Sequence, residues 1–272
     1  MQENVSLKNK NTFKIGGKAK YYTEVSSKEE LKKVLALNLP FFVLGEGSNV
    51  LVSDNGFNGI VIKLNFKDIL IKDNTIQVGA GLLLRDLVLK AKELNLGGIE
   101  WAIGIPGTIG GALFGNAGVP NFTIGNMVKQ VKVLQGNKVK TFKQQDCLFN
   151  YRDSIFKKNK DLIILSALLE FKGHFNEELV KTFFKKRKSI KGYSIGSIFK
   201  NGENYYAGKL IDDCGLKGKQ VGDAIISYEN ANWIINLGNA SSKDIEDLIL
   251  IAKTKVKEKF NIDLVEEIRR LG

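Results

Sequence analysis

The sequence predicts an α/β protein of two or three modules, an expectation that three observations carry. Short apolar runs closed by glycine alternate with amphipathic segments of 3.6-residue period, as at FFVLG, IVIKL and LLLRDLVLKAKELNL. At 272 residues the chain has room for more than one compact module, at roughly 100–150 residues each. Two glycine clusters, LGEGSNVLVSD and GIPGTIGGALFGNAG, are each bracketed by apolar runs.

In chain order, Ser26 or Ser27 caps a helix through SKEELKKVLALN, with Glu29 and Glu30 in its first turn. FFVLG reads as a buried strand ending at Gly45, GEGSN as a loop, and VLVSD and IVIKL as strands, with Gly59 the break before the last. A second block holds a strand at TIQVGAG, a leucine-spaced helix and the second glycine cluster. It continues with strands at MVKQVKVLQ, KVKTFK and DLIILSALLEFK, the last patterned for burial on both faces. The third block opens with the basic helix NEELVKTFFKKRKSI. GSIFKN, the helix AGKLIDDCG, a strand pair around IISYENANWIINLGNA, the helix SSKDIEDLILIAKTKVKEKF and a final strand, IDLVEEIRRLG, complete it. The expected boundaries are 1–66, 67–178, 179–262 and 263–272.

Composition narrows the chemistry. A hydrophobic fraction of 43% and a charged fraction of 26% are those of an ordinary globular chain with a sizeable core. The net charge is +12, from 41 Lys and Arg against 29 Asp and Glu, which concentrates anions near the surface. Most of these lysines read as solvated, but residues 181–200 hold several Lys, Arg187 and no acid, which suits a phosphate-bearing ligand. Cys147 and Cys214 lack CxxC spacing, so neither a disulfide framework nor a zinc site follows, and both read as buried filler. The one histidine, His174, reads as a surface loop residue, which excludes a Ser-His-Asp triad and a His-rich metal site. No apolar signal region and no run near about 18 apolar residues occurs, so neither export nor a membrane span is expected. The charge alone would allow nucleic-acid binding, but no helix-turn-helix, zinc-finger or RNA-binding aromatic signature accompanies it.

The glycine clusters are the strongest chemical signal. Gly45 and Gly47 allow a tight turn whose bare N–H groups can point at an anion, with Ser48 and Asn49 adding side-chain donors. Gly104, Gly107, Gly110 and Gly111 let backbone approach a flat or charged ligand, and Pro106 stiffens the turn. Neither cluster is a Rossmann fingerprint, since GEGSNV lacks the third glycine and precedes a strand, and no GxxxxGK[ST] loop exists.

NTFKIGGKA, LGEGSNVLVSD, GIEWAIGIPGTIGGALFGNAG, FNYRDSIFK, GSIFKN and AGKLIDDCGLKGKQVGDAIIS occur in this order. As an ordered set reaching from Asn11 to the C-terminus they resemble the UDP-N-acetylenolpyruvoylglucosamine reductases, within the vanillyl-alcohol-oxidase-like FAD-binding family. The resemblance implies a two-part FAD-binding module of that type (residues 1–66 and 67–178), a C-terminal α/β domain for the UDP-sugar (179–262) and a strand returning to the active site (263–272). It further implies reduction of an enolpyruvyl UDP-sugar by NADPH through FAD, in peptidoglycan precursor synthesis and hence in cell shape and division. Leu44, Gly45, Glu46, Gly47, Ser48, Asn49 and Val50 would hold the FAD diphosphate. Gly104, Ile105, Pro106, Gly107, Thr108, Ile109, Gly110, Gly111, Ala112, Asn116, Ala117 and Gly118 would line the diphosphate and isoalloxazine. Neither cluster has a histidine, so the flavin is expected to be non-covalent, which separates this chain from oxidases of the same fold that tether theirs.

Three residues match the family's catalytic positions: Ser197 as proton donor, Arg152 as the fork on the substrate carboxylate, and Glu267 as a partner of the enediolate that forms after hydride transfer. Glu267 is chosen over Glu266 because adjacent strand residues face opposite ways. Arg152, Lys200 and Asn201 are the expected substrate contacts, Arg187 and Lys188 further candidates for the diphosphate, and Tyr151 belongs either at the flavin edge or in the core. Gly202 stands where the family has proline, so a looser turn is expected. Ile225 stands where many members carry glutamine, so one polar contact is missing or supplied elsewhere. The short spacing between Arg152 and Ser197 resembles the subtype lacking the inserted tyrosine loop. No metal, nucleic acid or membrane partner is expected, and the expected state is a cytoplasmic monomer.

Overall fold

A computed structural model of the chain describes residues 1–186 and 192–272. Helices and strands are mixed throughout, as the α/β reading expects. The chain divides into two compact units that interleave in sequence: Met1–Thr23, Glu46–Val61 and Lys188–Gly272 form the first, Glu24–Gly45 and Ile62–Arg187 the second. Residues 1–66 are therefore shared between the two units.

In the second unit, five antiparallel strands run in the order Lys138–Lys143, Val128–Gln135, Ile163–Glu170, Thr75–Gly79 and Ile69–Lys72. The apolar run of Ile163–Glu170 puts it at the centre, where Ile163, Ile164, Leu165, Ala167 and Leu169 are buried. Helix Leu84–Glu93 buries Leu84, Leu87, Val88 and Ala91, one stripe of its surface. Helix Lys28–Leu35 starts at Ser27, whose Oγ accepts from the Glu30 N–H while the Glu30 carboxylate accepts from the Ser26 N–H. The first bond satisfies a donor the helix end leaves open, and the second ties down the residue before the cap.

The second glycine cluster departs from the expected open turn, because Ile109–Gly115 is a helix. Thr108 caps it, its Oγ1 accepting from the Gly111 N–H at 3.2 Å. Ile109, Ala112 and Leu113 bury one face, and that burial offsets the poor helix propensity of Gly110, Gly111 and Gly115. The helix stops at Asn116, which takes the left-handed conformation at φ 44°.

The first unit packs around Phe13, Ile15, Leu51, Ile198, Phe199 and the inner face of helix Ser242–Phe260. That helix begins with a capping box between Ser241 and Asp244 and buries Ile245, Leu248, Ile249, Ala252 and Val256. Beside it lies a three-stranded antiparallel sheet of Gln220–Val221, Ala224–Ile226 and Ile234–Asn236. Arg269–Leu271 pairs in parallel with Val50–Val52.

Several expectations need correction. Strands Gln2–Ser6 and Lys18–Val25, which the sequence reading did not assign, pair antiparallel. Gly59 lies inside strand Phe57–Leu64, where packing overrides its local preference. Phe41–Val43 is half-buried, and the C-terminal strand shortens to three residues. Cys147 is buried, but Cys214 only partly so. Among the described residues no helix is long and apolar enough to cross a membrane, and no cluster of His, Cys, Asp or Glu could hold a metal.

Candidate active site

Ser197 belongs to the first unit, on an extended segment held from both sides. Ser197 bridges Trp233 and Phe199 bridges Glu266. The Ile198 N–H donates to Asn232 O at 2.9 Å, the Lys200 N–H to Val265 O at 2.8 Å, and the Glu267 N–H to Ile198 O at 2.8 Å. Buried Asn232 fixes the strand further, its amide donating to Phe199 O at 2.8 Å and its carbonyl accepting from the Phe199 N–H at 2.9 Å. The local sequence explains the fit. Gly196 turns the chain at φ 78°, and Ile195, Ile198 and Phe199 enter the core, leaving Ser197 half-buried.

Ser197 and Asn201 line a cavity of about 290 Å³ together with Tyr206, Lys209, Lys217 and Asn230. Lys217 pairs with Asp212 at 2.6 Å and Lys209 with Asp213. The Asn201 side-chain carbonyl accepts from the Ala207 N–H at 3.0 Å and so starts helix Ala207–Asp213. Lys200 and Glu267 lie outside this wall.

Glu267 is nonetheless tied to the serine strand through its own N–H, and its carbonyl accepts from Asn49 Nδ2 at 3.3 Å. The Arg269 N–H donates to Asn49 O at 3.0 Å, so Asn49 clips the C-terminal strand from the turn of the first glycine cluster. Burial pushes the Arg269 guanidinium down to about 10. Glu266 is committed elsewhere, to Lys253 at 2.5 Å and Arg270 at 3.1 Å. Gly47, at φ 64°, allows this turn, since a Cβ there would stand 2.6 Å from Asn11.

Arg152 belongs to the second unit, at the tip of a two-residue hairpin. The Asn150 N–H donates to Asp153 O at 3.1 Å and the Asp153 N–H to Asn150 O at 3.2 Å. Arg152 sits at φ 52°, a left-handed conformation that costs an L-residue about 1–2 kcal/mol and that glycine usually fills in such turns. Its Nη2 donates to Gly118 O at 3.0 Å, and the guanidinium lies 5.5 Å from the Tyr151 ring. Tyr151 is 50% exposed, so the core alternative for it is wrong.

The comparisons with known proteins agree with this architecture. The model of the UDP-N-acetylenolpyruvoylglucosamine reductase C-terminal domain matches residues 188–271, and an FAD binding domain model matches residues 19–138. The reductase of that name from Clostridium novyi is 37% identical, covering 100% of this chain and 92% of its own. The chain belongs to the UDP-N-acetylenolpyruvoylglucosamine reductase family. The Caldicellulosiruptor bescii reductase is 39% identical over 98% of this chain and 89% of its own. The crystal structure of the Thermus caldophilus UDP-N-acetylenolpyruvylglucosamine reductase superposes with a TM-score of 0.86 at 36% identity, covering 98% of each chain.

The residues present fit the FAD of this reductase family. Gly111 and Gly115 fall on the same face of helix Ile109–Gly115, and a Cβ on Gly115 would meet nothing within 4 Å. Gly104 and Gly107 turn the preceding chain at φ 69° and 147°. A flat ring can therefore lie against bare backbone. Leu44, Val50 and Ile109 turn their side chains into the interior. Arg187 and Lys188 lie outside the described residues.

Tyr206, Lys209, Lys217 and Asn230 escaped the sequence reading. Their signal was the polar run ENAN between two apolar strands and the lysines of AGKLIDDCGLKG. Asn230 lines the cavity and Ile225 does not. The turn after Asn201 is closed rather than loose, because the Gly202 N–H, which proline would not have, donates to Tyr205 O at 3.1 Å.

Proposed function

We propose that this chain catalyses the NADPH-dependent reduction of UDP-N-acetyl-3-O-(1-carboxyvinyl)-glucosamine to UDP-N-acetylmuramate, in peptidoglycan precursor synthesis. The observation that carries this reading is the cavity of the first unit, where the hydroxyl of Ser197 shares a wall with two lysines, three asparagines and the carboxylates of Asp212 and Glu229. Ammonium groups suit a diphosphate, and amides and hydroxyls suit a sugar and a uracil edge. FAD, held without a covalent link and reduced by NADPH, supplies the hydride for the enolpyruvyl methylene carbon.

This chain's residues do the rest. Arg152 grips the substrate carboxylate with its planar fork, and it stabilises the negative charge that develops there more strongly than it binds the ground state. Glu267 shares a proton with the enediolate, and Ser197 hands a proton to the carbon beside the carboxylate. Lys200 and Asn201 bind the diphosphate and sugar, to which the cavity adds Lys217 and Asn230. Residues 44–50, 104–112 and 116–118 hold FAD, with the glycine turns letting backbone come close to it. The ligand roles divide the chain at 1–66, 67–178, 179–262 and 263–272, and the protein acts as a cytoplasmic monomer.

Ser197→Ala tests the assignment. Stopped-flow mixing of the FAD-loaded variant with NADPH should bleach the flavin at nearly the parent rate. Product formation on adding the enolpyruvyl sugar should fall roughly 100- to 10,000-fold, the usual contribution of a positioned acid. Equal loss in both half-reactions would overturn the role of Ser197.

A further inference from the structure

The left-handed Arg152 is held from outside its own turn. Asn116 is 5% exposed and caps the glycine-rich helix, and its amide donates to Asn150 O at 2.9 Å. The same side chain accepts from the Gly125 N–H at 3.1 Å, so both of its ends are engaged by backbone. Ser154, fully buried, donates from Oγ to Phe114 O at 2.7 Å. Lys157 reaches back to donate from Nζ to Arg152 O at 3.3 Å. A strained backbone persists only where its surroundings over-determine it, and strain of this kind gathers at functional positions.

We infer that Asn116 and Lys157 are positioning residues that hold the backbone of Arg152 left-handed and so aim its guanidinium. This role rests on the reading of Arg152 as the carboxylate-binding residue. It gives the Asn116 side chain a task distinct from cofactor contact. Asn150 O accepts from both the Asp153 N–H and the Asn116 amide, so loss of the amide frees one side of the hairpin. Lys157 acts on the carbonyl that follows the strained φ, the peptide plane that would flip if Arg152 relaxed to an ordinary conformation.

A double-mutant cycle on the FAD-loaded protein decides the matter. Asn116→Asp keeps the size and left-handed tolerance of the side chain but removes its donor. Lys157→Met keeps the stem, and Lys157→Arg restores a donor. In the parent, Asn116→Asp and Lys157→Met should each lower kcat/KM for the enolpyruvyl sugar roughly 10- to 100-fold, as small misplacements of a reacting group do. FAD affinity and flavin bleaching by NADPH should stay at parent values, and Lys157→Arg should recover most of the loss. In an Arg152→Ala background neither substitution should reduce kcat/KM further. Undiminished losses in that background would show a merely structural role and overturn the inference. Weakened FAD binding by Asn116→Asp would do the same, by making the side chain a cofactor contact. Normal turnover by Arg152→Ala alone would instead overturn the reading of Arg152, and this inference with it. Should Asn116→Asp fail to fold, the Lys157 pair decides alone.

Discussion

At the scale of single residues, Arg152 and Asn116 carry left-handed backbone at candidate site positions, and Gly47 stands where crowding forbids a side chain. Gly202 is a second instance. A Cβ there would stand 2.2 Å from the ring of Tyr205, and the Gly202 N–H closes the turn onto Tyr205 O. Gly202→Pro should therefore lose a hydrogen bond and force the ring aside. It should destabilise the protein by about 1–3 kcal/mol, read as a lower denaturant midpoint. An unchanged midpoint would mean that the turn adapts freely. The match of GSIFKN to its family made Ser197 a candidate from sequence, but nothing local revealed that Asn232 fixes the serine strand. Those partners are more than thirty positions apart, and only folding joins them.

Secondary-structure elements here are locked at their ends by charge. Glu266, between helix Ser242–Phe260 and strand Arg269–Leu271, binds Lys253 and Arg270, and Arg270 also binds Glu246 on the helix. Burial pushes the Glu266 carboxyl up, but the Lys253 hydrogen bond and the charges of Arg270 and Lys253 outweigh it, so the group lies below its usual 4.5. A carboxyl lowered on folding stabilises the protein above its unfolded value and loses that contribution as pH falls through the folded one. Glu266→Gln should therefore lower the melting temperature at pH 7, and the gap from the parent should close as pH drops below about 4. A gap that stays constant as pH falls from 7 into the acid range would assign the loss to packing instead. Helices were the elements most legible in sequence, because Ser27, Ser241 and the apolar spacing of Leu84–Glu93 each announce themselves. The glycine-rich helix Ile109–Gly115 was hidden, since its propensity argues for a turn and only the burial of Ile109, Ala112 and Leu113 reverses that.

For the molecule as a whole, the two free thiols belong to different units, Cys147 to the second and Cys214 to the first. Burial, with the charge of Asp146, pushes the Cys147 thiol up to about 12. At pH 8 it has almost no thiolate, the species that reacts with alkylating reagents. Cys147 should stay unlabelled by iodoacetamide at pH 8 until denaturant opens the second unit, with peptide mass spectrometry as the readout. Prompt labelling in buffer would contradict its burial.

Taken alone, the order of motifs determined the family, the α/β class, the need for FAD and the candidates Ser197, Arg152 and Glu267, because chemistry of this kind demands particular residues at fixed places in the chain. Tertiary structure decided the rest. It divided the first 66 residues between two units, walled the cavity with Lys217 and Asn230, turned Glu266 away to Lys253 and Arg270, and held Arg152 left-handed with Asn116 and Lys157. Most of these depend on contacts between residues remote in sequence, such as Asn116 with Asn150, whose energies no local propensity or periodicity encodes.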